Sequence, residues 1–146
     1  MTKNLIVLFL LILTASPVQA KHRHKEKEYQ EQWCAEAGGI TEVVLDDGAR
    51  VDCLTDEYAI EFDFAPKWAE AIGQALYYAE KTGRKPGVVL ILEGDADQSR
   101  FTDRLDTVAT PRGIRVWTMK EAGLKTVAPF YQTYFDVFPT NPVFSR

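Results

Sequence analysis

The clearest alternation in the chain lies in Tyr58–Phe64, where Ile60, Phe62 and Phe64 take one face and Ala59, Glu61 and Asp63 the other. That two-residue period predicts a half-buried strand. Arg50–Leu54 reads as its antiparallel neighbour across a turn at Thr55-Asp56-Glu57, a register that puts Asp52 opposite Glu61 and turns Val51 and Cys53 to the apolar side. Ile40–Leu45 is a β-branched run that reaches Arg50 through Asp46-Asp47-Gly48, a hairpin signal.

Helical spacing appears on either side of these strands. Tyr29, Trp33 and Ala37 fall four apart in Glu26–Ala37, which Gly38-Gly39 ends. Pro66 suits a first helical turn, and Trp68, Ala71, Ile72, Ala75, Leu76 and Ala79 form one stripe up to about Thr82. Lys85-Pro86-Gly87 reads as a connector, Val88–Leu92 as a buried strand and Ser99–Thr110 as an amphipathic helix. Ile114–Trp117 reads as a last strand, and Thr118 with Glu121 suggests a capping box for one more turn. From about residue 118 an arm rich in Phe and Tyr among prolines lacks a period. The order α-β-β-β-α-β-α-β predicts an α/β fold with a mixed central sheet flanked by helices.

The first 20 residues change that picture. Lys3 precedes a continuous apolar run, Leu5–Leu13, and Val18 and Ala20 stand where a signal peptidase cuts. This is the pattern of a cleavable secretory leader, and the run falls short of the roughly 20 residues a membrane span needs. The expected organisation is a leader at 1–20, a charged flexible N-terminus at 21–28 and one domain at 29–146. The expected location is periplasmic or secreted, with no stable membrane association after cleavage. Cys34 and Cys53 form an even pair in an oxidising compartment, most simply one disulfide; free thiols or half a metal site are the alternatives.

Charge argues in a second direction. With 17 Lys and Arg against 21 Asp and Glu, the chain is acidic and a poor nonspecific ligand for polyphosphate. A local basic rim can coexist with that total. The two histidines, His22 and His24, sit in the charged segment, where fraying is expected. Without an ordered histidine, Ser-His-Asp and Cys-His mechanisms lack their base. Chemistry, where there is any, falls to carboxylates.

Asp52, Glu61 and Asp63 share one sheet face in the predicted register, with Lys67 at the start of the next helix. Oxygen ligands of this kind suit a hard cation that activates water, and a nearby lysine suits the developing charge. A solvated hairpin face explains the same residues equally well. Arg50-Val51-Asp52, Glu61-Phe62-Asp63 and Gln74-Ala75-Leu76-Tyr77-Tyr78, set in αβββαβ order over roughly Glu26–Trp117, resemble the PD-(D/E)XK nuclease superfamily. Its RecB-like branch carries a Gln-x-x-x-Tyr signature. The resemblance implies a restriction-endonuclease-like core and an exported nuclease dependent on Mg²⁺ or Mn²⁺. Asp52, Glu61 and Asp63 would bind metal, Lys67 would assist catalysis, and Gln74 and Tyr78 would orient nucleic acid, DNA before RNA. Asp63 departs from the pattern by standing where the superfamily has lysine. That departure keeps open a catalytically inactive binding or protein-interaction module on the same scaffold.

Overall fold

The computed structural model describes residues 22–125. The expected leader, and the arm from 126 onward, lie outside them. The elements are α1 (Glu26–Glu36), β1 (Ile40–Val44), β2 (Arg50–Leu54), β3 (Tyr58–Phe64), α2 (Trp68–Thr82), β4 (Lys85–Leu92), α3 (Ser99–Ala109) and β5 (Arg115–Lys120). Short 3₁₀ turns at Ala65–Lys67 and Thr110–Arg112 lead into α2 and out of α3, and a third covers Glu121–Gly123.

Five strands form one sheet in sequential order, antiparallel from β1 to β3 and parallel from β3 to β5. Alternate strand residues feed two cores. Ile60, Phe62, Phe64, Val89 and Ile91 pack with Tyr29 and Cys34 of α1, while Val88 and Leu90 pack with Ala71 and Ala75 of α2 and Leu105 and Ala109 of α3. The result is a sheet with α1 on one face and the crossover helices on the other, a mixed α/β architecture.

Cys34 and Cys53 are joined in a disulfide across the first core. Gly39 is fitted to it: a Cβ at this residue would lie 2.6 Å from the Cys53 Sγ and 2.8 Å from the Cys34 Sγ.

Several boundaries differ from the sequence pattern. β4 starts at Lys85, so the apparent connector Lys85-Pro86-Gly87 is strand, paired with Tyr58, Ala59 and Ile60. Gly87 serves close packing rather than a turn, since a Cβ there would come within 2.9 Å of the Trp117 ring. Thr118 belongs to β5, and the turn after it starts from Lys120 instead of a threonine cap. Residues His22–Lys25 are tied to the end of β4. The Glu93 carboxylate, just beyond β4, accepts hydrogen bonds from the backbone N–H groups of Arg23 (2.9 Å) and His24 (2.8 Å). It also takes the Tyr29 hydroxyl and lies 3.1 Å from His22 Nδ1, and the His22 ring stacks on Phe64.

Candidate functional site

The register Cys53↔Ile60 and Leu54↔Ala59 places Asp52 beside Glu61, as the alternation of β3 requires. Beyond Cys53 the backbone ladder between β2 and β3 stops. The Phe62 N–H instead donates to Asp52 Oδ2 at 2.8 Å, so the aspartate replaces a backbone acceptor. The opening lets α1 reach in: Gln30 comes close enough to limit the rise of the Asp52 carboxyl, and Glu26 comes close enough to feel Asp63 and Asp52.

Glu61 and Asp63 are buried. Burial, and then the charge of Asp52, pushes the Glu61 carboxyl up to about 10, and burial raises its partner Asp52 as well, so the two titrate as a pair. Its Oε2 has no hydrogen-bond partner among the described residues. Burial also raises Asp63 to about 6, a rise that Lys67 and the Phe64 N–H limit. Glu26 is raised to about 7 by burial and by Asp63 and Asp52. Lys67 Nζ lies 3.7 Å from Asp63 Oδ1 and 4.0 Å from Glu70.

Gln74 and Tyr78 do meet, with the Tyr78 hydroxyl donating to Gln74 Oε1 at 3.2 Å. Tyr78 is buried against Val51 and Ala59, its ring behind the carboxylates. Arg50 pairs with Glu42 at 2.8 Å across β1 and β2 and not with Asp63. Glu42 has φ 59, a left-handed backbone that is uncommon outside glycine.

The structure thus gathers Asp52, Glu61, Asp63 and Lys67 as the pattern suggests, but not as ligands of one ion. Among the described residues, no group of three or more His, Cys, Asp and Glu side chains has metal-holding geometry. The reason is local. Asp52 accepts the Phe62 N–H, Asp63 accepts the N–H of its neighbour Phe64 and lies beside Lys67, and burial pushes the Glu61 carboxyl up. Glu26 and Gln30 were missed by sequence reasoning. Their only signal was an i, i+4 pair at the start of an amphipathic helix.

A second region carries an excess of basic residues, nine Lys and Arg against six Asp and Glu over residues 81–125. Residues 22–80 carry most of the carboxylates, whereas residues 81–125 hold Lys81, Arg84, Lys85, Arg100, Arg104, Arg112, Arg115, Lys120 and Lys125. Lys81 pairs with Asp46, and Lys85 with Glu57 at 2.8 Å. Arg84, Arg100, Arg104, Arg112 and Arg115 are exposed and have no ion-pair partner among the described residues. Arg84 and Arg115 stand at the same end of the sheet, because β4 and β5 are parallel and both begin there. Arg112 precedes β5 by three residues and donates to the Val108 carbonyl; Arg104 and Arg100 lie further back on α3, where Arg100 borders Phe64, Ile91 and Glu93 at the other end of the strands.

Over 74 residues the chain is 38% identical to a protein of Acanthamoeba polyphaga mimivirus named as containing a KilA-N domain. The likeness takes in 48% of this chain and 29% of that protein, so the chain spans under a third of its relative's length. No known family profile and no solved structure matches. This relative overturns the PD-(D/E)XK resemblance and the metal-dependent nuclease it implied. The catalytic roles drawn from it for Asp52, Glu61, Asp63 and Lys67 lose their support.

Proposed function

We propose that this chain is an exported nucleic-acid-binding module that grips phosphates through exposed arginines, chiefly Arg84, Arg112 and Arg115, at the end of the sheet where β4 and β5 begin. The observation that carries the proposal is the set of five exposed arginines without carboxylate partners among the described residues, in a chain that is acidic elsewhere. A cation already paired gains little from a phosphate, whereas an unpaired arginine offers a planar fork of donors and releases counterions on binding. The acidic total is not an obstacle, since the carboxylates lie chiefly on the elements before β4.

KilA-N domains are a DNA-binding family, so the likeness to the mimivirus protein supports DNA as the partner. The Cys34–Cys53 disulfide supports an oxidising compartment and with it the secretory reading of residues 1–20. The finer fold assignment, a restriction-endonuclease-like αβββαβ core, is supported by element order alone. Titration of the purified chain into fluorescently labelled DNA tests the function. Saturable binding that weakens steeply with salt is expected; no binding at low ionic strength rejects it.

A further inference from the structure

Aromatic side chains stand beside Arg115, at the end of the sheet where β4 and β5 begin. The Trp117 ring lies directly over Gly87, with its edges held by Trp33 (centroids 5.1 Å apart) and Tyr58 (5.3 Å, nearly perpendicular). Arg115 is two residues earlier on the same face of β5, its guanidinium carbon over the indole at 5.7 Å from the ring centroid, where an incoming base would meet both. Tyr58 is shared by two hollows. One, of about 400 Å³, is lined by Trp33, Trp117, Gly38, Thr55 and Asp56 among others. The other, of about 370 Å³, is lined by Lys85, Thr110, Gly113, Arg115 and Asp106 among others.

Resting on the nucleic-acid reading above, we propose that Trp117, flanked by Tyr58, is a stacking platform for an unpaired base, and that the ligand is single-stranded nucleic acid. Packing on Gly87 and two edge contacts fix the indole in place, so little conformational freedom is lost when a base stacks on it. A half-buried tryptophan and tyrosine beside an unpaired arginine combine a π-face with a phosphate contact, which is how sequence-tolerant single-strand sites are built. A duplex keeps its base faces stacked on one another and offers no such surface. Glu57 and Asp56 border the first hollow; Lys85 neutralises Glu57, which limits repulsion of the strand.

Anisotropy titrations of the purified chain with a short labelled single-stranded DNA, the same sequence in RNA, and the duplex test this. Single strands are expected to bind at least about tenfold tighter than duplex and to quench tryptophan fluorescence. Trp117→Leu, checked for folding by circular dichroism, is expected to weaken single-strand binding by about tenfold, within the range a lost base stack costs. Arg115→Gln, a surface change, keeps the test open where Trp117→Leu does not fold; it should weaken binding and reduce quenching. Equal affinity for duplex and single strand, or unchanged affinity in folded Trp117→Leu, overturns the stacking site and leaves the nucleic-acid reading standing. Failure of all three probes to bind overturns both.

Discussion

Glu61 lies buried against Asp52 across the β2–β3 hairpin, and burial together with the Asp52 charge pushes its carboxyl up. Unfolded carboxyls titrate near 4. Folded Glu61 sits at about 10, Glu26 at about 7 and Asp63 at about 6, burial being the first cause for each. Between the unfolded and folded values the native chain holds more protons than the unfolded one. The stability these groups contribute is therefore fully present below about pH 4 and lost as pH rises through the folded values.

Glu61→Gln keeps the shape of the protonated side chain and its donor to Asp52. Urea unfolding at pH 5 and pH 8 should show the variant more stable than the parent at pH 8, by about 1–3 kcal/mol, and a flatter pH dependence. Destabilisation at pH 8 with an unchanged slope would show that Glu61 is ionised in the native protein.

The disulfide crosses 19 residues of sequence, from the end of α1 to β2. Closing a loop of that length is worth about 3 kcal/mol by the chain-entropy argument. Cys34→Ser with Cys53→Ser should lower stability by about that amount. Gly39→Ala should cost about 1–3 kcal/mol with the bond intact, because the added methyl meets both sulfurs. A Gly39→Ala protein as stable as the parent would contradict the packing around the bridge.

The Glu93 carboxylate gathers two backbone N–H groups, His22 and the Tyr29 hydroxyl, and these hydrogen bonds outweigh its burial to hold it below its ordinary value. Glu93→Ala should release His22–Lys25, seen as faster amide exchange at Arg23 and His24 and easier proteolytic trimming ahead of α1. Protection unchanged at those two amides would rule out Glu93 as the anchor.

The hairpin was the most legible part of the chain. β2 and β3 follow from period-two alternation, and the same alternation places Asp52, Glu61 and Asp63 on one face. What those carboxylates do was not legible, because it depends on the ladder opening beyond Cys53, where the Phe62 N–H turns to Asp52 and Glu26 and Gln30 reach in from another element. Pro86 and Gly87 read as breakers; only the packing of Trp117 shows why a glycine stands inside β4. His22 and His24 looked solvated because their partners, Glu93 and Glu121, are some 70 to 100 residues away in sequence. The exposed arginines were hidden for a related reason, since a net charge does not reveal which cations are already paired.

The measurement that bears most directly on the proposed function is the salt dependence of DNA affinity in the parent and in Arg112→Ala, Arg115→Ala and the double variant. Each arginine that contacts a phosphate contributes roughly one to the slope of log affinity against log salt. The slope is predicted to fall by about one in each single variant and about two in the double variant, with affinity reduced alike for unrelated sequences. Slopes unchanged in folded variants would show that the nucleic acid, if bound, lies elsewhere on the molecule.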